Sequence, residues 1–427
     1  MEKQTNKKGV TVAIISMMFL FAMISFVTNL AAPFGNIWGK TYSWAGMVGN
    51  LMNFLAYLFM GIPAGKMLVK YGYKKTALIA MAIGFIGLLI QSLSSIFGGD
   101  CQLFTIQEQP VMLNFIVYLL GAFICGFCVC MLNTVVNPML NLLGGGGNRG
   151  NQLIQTGGTL NSLTATLTPL FVGVLIGEVT NKTSMNDVTP LLWIAMGVFA
   201  VSFIIISMVN IPEPQSSTTG VTFEHSPWNF RHFVLGVIAI FFYVGIEVGI
   251  PAEINFYITN LGFTGAAAIA GGVVAIYWFL MLIGRFVSSF ISGKVSSRMQ
   301  LIVTSTLAIV LLLIAIILPE SNIVSFHGAN VPIKSFFVVA CGICTSIMWG
   351  CIFNLATEGL GKYTAAASGI FMMMVVGGGI MPFIQDQIAV SLHNYIASYW
   401  LIIVMLVYLL YYALAGCKNV NKDIPVD

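Results

Sequence analysis

Apolar residues in this chain do not alternate with polar ones; they come in long runs. A helix needs roughly 20 mostly apolar residues to cross a bilayer. Runs of that kind recur near 11–38, 44–70, 75–97, 111–141, 150–177 and 189–210. A polar stretch bearing Pro and Ser follows from Ile211 to Trp228, and six further runs lie near 229–260, 265–294, 299–318, 333–358, 363–390 and 394–416. The pattern predicts an all-α polytopic membrane protein of 12 transmembrane helices. The longest connection divides it into an N-terminal six-helix bundle at 1–210, a linker at 211–228 and a C-terminal six-helix bundle at 229–427.

Composition narrows the class further. Of 427 residues, 58% are apolar and only 7% are charged, against roughly 25% charged in soluble proteins. The mean hydropathy is +0.93. Disordered, collagen-like and coiled-coil chains and an ordinary cytosolic enzyme are excluded. A net charge of +4 is too diffuse for a nucleic-acid footprint. Seven of the eight Cys lie in or beside apolar runs, where Cys packs as a small hydrophobe. No enzymatic role and no cofactor are expected. Gly144 to Gly147 is followed by no Lys-Ser/Thr pair, so it is not a phosphate loop. The first run is too long for a cleavable signal and lacks a small-residue cleavage site, so it is expected to stay in the membrane.

Lys and Arg set the orientation. With the N-terminus cytoplasmic, fourteen of them fall on the inner side: Lys3, Lys7, Lys8, Lys66, Lys70, Lys74, Lys75, Arg149, Arg231, Lys294, Arg298, Lys362, Lys418 and Lys422. Lys40, Lys182 and Lys334 fall outside, and Arg285 lies within the eighth span. Both termini are therefore expected in the cytoplasm. Asn181-Lys182-Thr183 is a sequon on the outer side, meaningful only in a eukaryote.

The halves echo one another. Ala64-Gly65-Lys66 closes the second span and Ser292-Gly293-Lys294 the eighth, each before a short basic loop. Two six-helix repeats are the plan of major facilitator transporters, and the loop from Gly65 to Lys75 resembles that superfamily's G-x-x-x-D-x-x-G-x-K/R, with Val69 at the Asp position. Three stretches resemble one family within it more closely. Ser346-Ile347-Met348, Phe353 to Thr364 and Gly377 to Gln385 are similar to S-I-M-F-P-T-I-F-x-L-A-x-E-G-L-G-K-x-T and G-G-A-I-x-P-x-x-Q of the fucose:proton symporter family. Asn161-Ser162-Leu163, Tyr243 to Val248 and Gly284-Arg285-Phe286 resemble its N-S-L, Y-V-G-A-E-V and G-R-F. The resemblance implies the major facilitator fold, with two pseudo-symmetric bundles. It also implies a monomeric sugar importer of the bacterial inner membrane, working by alternating access and usually driven by protons.

Departures from that family bear on coupling. Asn29 stands where the family has an Asp, Asn133 where many members have a Glu, and Gly158 where it has a Gln, with Gln155 one turn earlier. The carboxylate left near the midplane is Glu247, in the seventh span. A charged residue at that depth costs at least about 2.5–3.5 kcal/mol, which favours a protonatable, proton-coupling group over mere helix glue. Glu253, one or two turns further out, suits either substrate binding or a wetter vestibule. Glu358 and Lys362, four apart, read as a helical pair bracing an inner gate, with Arg285 and Arg298 as further partners for Glu358.

A sugar presents hydroxyls that donate and accept, and an apolar ring face. Asn and Gln amides match the first, and aromatics the second. Candidate substrate contacts are Asn29, Asn133, Asn137, Gln155, Asn161, Asn354 and Gln385 with Tyr243, Trp278 and Trp349. Asn133 and Asn137 share a helix face; the competing reading for the amides is interhelical hydrogen bonding. Phe34, Trp38 and Tyr277 are further ring candidates, although Trp38 and Trp228 also suit an interfacial belt. The expected partners are a small-molecule sugar, a proton or a sodium ion, and the lipid bilayer. Loss of both acids keeps an uncoupled facilitator or a sodium symporter open, and a transporter-like sugar sensor is a remote alternative.

Overall fold

The structure, a computed structural model, describes residues 2–42, 45, 48–106, 108–176, 185–209, 211, 225–263, 266–421 and 423–426. The sequon with Lys182, most of the linker at 211–228 and Lys422 lie outside these residues. So do the side chains of Lys3, Lys7, Lys8 and Lys40 and of the stretch from Pro169 to Phe171.

The helices follow the apolar runs to within a few residues. In order they are α1 (Glu2–Thr41), α2 (Val48–Leu93), α3 (Leu113–Leu143), α4 (Gly147–Ile176), α5 (Met185–Met208), α6 (Arg231–Thr259), α7 (Ala266–Ile291) and α8 (Ser297–Ile317). Then come α9 (Lys334–Thr345), α10 (Met348–Thr357), α11 (Thr364–Met373), α12 (Gly377–Leu392) and α13 (Tyr399–Tyr411). Ten helical stretches among the described residues are long and apolar enough to cross a membrane. One of them, α2, has 46 residues, about 69 Å at 1.5 Å per residue, twice a hydrocarbon core of roughly 30 Å. It breaks at Gly72, where φ is 81°, a left-handed value that an L side chain resists. With α2 counted as two, and with the long but more polar α4, the crossings number 12.

Two short hairpins interrupt the helical pattern. β1 (Gln102–Ile106) pairs with β2 (Gln109–Met112), and β3 (Ile323–Phe326) with β4 (Ala329–Pro332), both antiparallel. They follow the third and ninth crossings, six apart, so they extend the internal repeat. Strands of four or five residues leave no periodic signal, and the all-α reading missed them.

By contacts the described chain forms two compact units. Unit 1 holds Met1–Leu143, Leu163–Thr222 and Ala365–Met373; unit 2 holds Gly144–Ser162, Phe223–Thr364 and Met374–Asp427. In unit 1, α2 meets α11 across Gly61 and Gly65: a Cβ at 61 would come 2.6 Å from Met373 Cβ, and one at 65 would come 3.0 Å from Gly369 Cα. In lipid the hydrophobic effect does not drive helices together, so such backbone proximity supplies the attraction. An aromatic cluster joins α1 to α3, with Trp38 centred 4.9 Å from Phe115 and 5.5 Å from Tyr118. Trp38 is therefore 3% exposed rather than free at an interface, whereas Trp228 is 46% exposed.

Basic residues of the short loops cap helices in each unit. In unit 1, Lys74 Nζ donates to the carbonyls of Ser207 and Val209 at 2.8 and 2.7 Å, at the end of α5. In unit 2, Arg298 donates to the carbonyls of Ala413 and Leu414 at 2.9 and 2.8 Å, just past α13. A cation at a helix C-terminus satisfies stranded carbonyls and opposes the macrodipole. Arg298 thus spends its donors there and not on Glu358, the partner expected from sequence. Replacing Arg298 or Lys74 with Ala is expected to cost about 1 kcal/mol each, read as a lower melting temperature in detergent, with Arg298→Lys losing less.

Candidate functional site

Two helix interruptions in unit 2 create a polar centre. The first separates α9, ending at Thr345, from α10, beginning at Met348. Leaving the helix strands backbone carbonyls, and in hydrocarbon each unmet one costs several kcal/mol. Side chains from three other helices reach the carbonyls at the break, of which that of Ile347 also accepts the Cys351 N–H of α10 at 3.2 Å. Tyr243 Oη of α6 donates to Thr345 O at 3.1 Å, and Arg285 Nε of α7 donates to Ser346 O at 3.1 Å. Gln155 Nε2 of α4 donates to Ile347 O at 2.9 Å.

The second interruption is Pro251 inside α6. Proline lacks the N–H that would bond the carbonyl four residues earlier, which belongs to Glu247. Tyr277 Oη of α7 donates to that carbonyl at 3.1 Å and lies 3.0 Å from Thr345 Oγ1. Glu247 is therefore held by its main chain as well as by its carboxylate.

Arg285 joins these parts. Its Nη2 pairs with Glu247 Oε1 at 3.2 Å, with side chains 12% and 17% exposed respectively. Its Nη1 donates to Ser162 Oγ at 2.8 Å and to Gly158 O at 3.4 Å. The planar guanidinium, five donors and no acceptor, suits a place where carbonyls, a hydroxyl and a carboxylate converge. Gly158 leaves the room in which Arg285 lies, since a Cβ there would already touch its Cδ at 3.5 Å. Asn151, Gln155, Gly158 and Ser162 recur at helical spacing and share one face of α4. Trp349 stands edge-on to Tyr243 with centroids 6.2 Å apart.

The expected contacts are distributed unevenly. Gln155, Tyr243, Glu247, Arg285 and Trp349 meet around the α9–α10 break, and Asn161 lies on α4 beside Ser162. Trp278 packs edge-on to Tyr277 at 5.2 Å but is 42% exposed. Asn354 donates to Ser297 Oγ at 2.9 Å, about 9 Å along α10 from its first residue, Met348, at 1.5 Å per residue. Gln385 is buried on α12, where its amide donates to Ser398 Oγ at 3.3 Å. In unit 1, Asn133 donates to Tyr57 Oη at 3.0 Å and Asn137 to the Asn133 carbonyl at 2.9 Å. Asn29 donates to the Ser25 carbonyl at 2.8 Å. Pro138 releases the Thr134 carbonyl, which Ser368 Oγ takes at 3.1 Å, as Tyr277 does for Glu247.

Two pairings anticipated from spacing are corrected. Glu358 caps α10 with extended backbone, Gly359 follows at φ 71°, and Lys362 lies in a separate 3-10 turn over the Tyr363 ring, 5.6 Å from its centroid. No continuous helix joins Glu358 to Lys362, so the helical pair does not form. Arg285, offered to Glu358, instead holds Glu247. Tyr57, Thr345, Ser162 and Asn151 were not anticipated. Ser162 and Thr345 adjoin motif residues, a usable signal, whereas Tyr57 has none along the chain.

The fold and this centre define a polytopic helical membrane protein whose broken helices are locked around one Arg–Glu pair. Residues 12–383 match the sequence profile of the Major Facilitator Superfamily, and the chain belongs to that family: it is a transporter, not an enzyme. It is 27% identical over 427 residues to a glucose/galactose transporter of Brucella abortus, covering 97% of this chain and 96% of that one. It is 28% identical over 438 residues to a putative glucose/galactose transporter of Helicobacter pylori, covering 98% and 99%. The crystal structure of the E. coli fucose:proton symporter superposes with a TM-score of 0.76 at 19% identity, covering 94% of this chain and 98% of that one.

Removing one member of a buried ion pair costs about 3–5 kcal/mol because the other charge is left alone. Arg285→Ala is therefore expected to lower thermal stability more than the double variant Arg285→Ala/Glu247→Gln. A double-mutant cycle by thermal melting reads the coupling, and additive losses would show that the pair contributes none.

Proposed function

We propose that this protein imports a monosaccharide or sugar derivative across the bacterial inner membrane by alternating access, coupled to protons through Glu247. Both termini face the cytoplasm in this reading, in keeping with the distribution of Lys and Arg. The observation that carries it is the Glu247–Arg285 pair at the helix breaks. Protonating Glu247 removes the charge that faces Arg285 while the other bonds of Arg285 remain, so one proton changes how α6 is tied to α4, α7 and the α9–α10 break. Gln155 and Tyr243, buried, and Asn161 and Trp349, half-buried, supply amides and rings suited to a polyol. Asn29, Asn133 and Asn137 offer amides in unit 1. The names of the Brucella and Helicobacter relatives support a sugar substrate, and an L-fucose-proton symporter of E. coli, 23% identical over 403 residues, supports a proton.

The test is uptake into proteoliposomes against a panel of labelled hexoses, deoxy sugars and amino sugars. Wild type is expected to accumulate its sugar under an inward proton gradient and Glu247→Gln only to equilibrate it. Equal, gradient-independent equilibration by both proteins would remove proton coupling. A second reading, a facilitator or sodium symporter, is favoured by the neutral Asn29 and Asn133. Sodium-dependent accumulation without alkalinisation of the medium would establish the sodium form.

A further inference from the structure

Glu253 lies six residues beyond Glu247 on α6 and takes no part in the Arg285 centre. It is buried rather than open to a vestibule: it is 1% exposed, and neither carboxylate oxygen has a hydrogen-bond partner among the described residues. Gln385 of α12 supplies the second observation. It is 0% exposed, and its carbonyl oxygen is also without a partner. The amide orientation is determined locally. Ser398 Oγ gives its single proton to Tyr395 O at 2.6 Å, so towards Gln385 it can only accept, and the Gln385 NH₂ must face it at 3.3 Å. The Gln385 carbonyl then lies against Gly249, where any Cβ would overlap it. Gly249 and Glu253 are four apart and share one face of α6. A carboxylate and an amide carbonyl are thus buried along one helix face with no donor for either among the described residues.

The titratable neighbours supply none. Asp386, next to Gln385, is within electrostatic reach of Glu253, and so is Tyr399 of α13, whose hydroxyl is given to Ile250 O at 2.8 Å. On α6 itself, Glu247 is held by Arg285, and Tyr257 donates to Glu320 at 3.3 Å. Lys334 is 4.0 Å from Glu320. A bare carboxylate so placed, beside a second acid and without a cation, is not tolerated in an apolar interior; it neutralises. One proton on Glu253 removes the charge and turns one of its two acceptor oxygens into a donor.

We propose that Glu253, on the face of α6 against which Gln385 packs at Gly249, is a proton-binding site of the transport cycle, occupied when enclosed and emptied when that face of α6 opens to water. The step is a simple dissociation: the Glu253 O–H breaks, the pair stays on the carboxylate, and the proton leaves to solvent. The site deepens the proton-coupled reading above and rests on it, adding to the Glu247–Arg285 switch a second acid of α6 that takes up and releases a proton.

Infrared difference spectroscopy of the full-length protein in lipid tests the site directly. At neutral pH, wild type and Glu247→Gln are expected to show a protonated-carboxyl stretch sensitive to deuterium exchange, and Glu253→Gln to lack it. In proteoliposomes, Glu253→Gln is expected to lose gradient-driven sugar accumulation by at least about tenfold, while sugar counterflow falls much less, a split that a merely structural role would not produce. Glu253→Asp is expected to restore accumulation in part and guards against a folding defect in the Gln variant. Persistence of the band in Glu253→Gln, or accumulation there equal to wild type, would overturn the proposal. Accumulation driven by sodium in a wild type without the band would overturn it as well. If wild type moves no sugar of the panel, the transport reading fails while the band still decides whether Glu253 holds a proton.

Discussion

Backbone carbonyls released inside a bilayer have no water to turn to, and this constraint organises the interior of the molecule. Each carbonyl released at a break needs a donor, and side chains of other helices supply most of them. At the α9–α10 break the donors are Tyr243, Arg285 and Gln155; at Pro251 the donor is Tyr277, and at Pro138 it is Ser368. Irregularities that would weaken a soluble helix therefore become the points where helices are tied together. Packing at small residues and polar ties of this kind replace the hydrophobic effect, which lipid cannot provide.

Arg285 shows why the residue type matters at such a point. A Lys ammonium is a compact point charge on a flexible stem, whereas the guanidinium fork holds several directions at once. It reaches the Ser346 carbonyl, Ser162, the Gly158 carbonyl and the Glu247 carboxylate together. The acids of α6 are thereby divided by environment. Glu247 faces the Arg285 guanidinium, whereas among the described residues no cation pairs with Glu253. Two carboxylates six residues apart on one helix have different surroundings because their neighbours come from different helices. The amides at Asn29 and Asn133, hydrogen-bonded within unit 1, need no such compensation.

Much of the fold was legible along the chain. Runs of apolar residues gave the helices, because a segment in hydrocarbon must be apolar for its whole length. The two runs read at 44–70 and 75–97 form one helix with a break at Gly72 between them. Legibility stopped where an outcome depended on backbone geometry or on a distant partner. Glu358 and Lys362 have helical spacing, but the helix ends at Thr357, and Gly359 turns the chain away. Trp38, near a span end, has the composition of a belt residue, yet Phe115 and Tyr118 bury it. The hairpins at Gln102–Met112 and Ile323–Pro332 were too short to carry a period.

By itself, the sequence determined the solvent, the number of crossings, the family and the inventory of intramembrane polar groups, since these depend on which residues are present and how far apart they lie along one helix. The tertiary structure alone decided which donor meets which carbonyl, that Arg285 belongs to Glu247, and that Glu253 meets no cation among the described residues. Those outcomes depend on distances between helices far apart in the chain. In a medium without water, the presence or absence of a partner a few ångströms away sets whether a buried group is charged, neutral or structural.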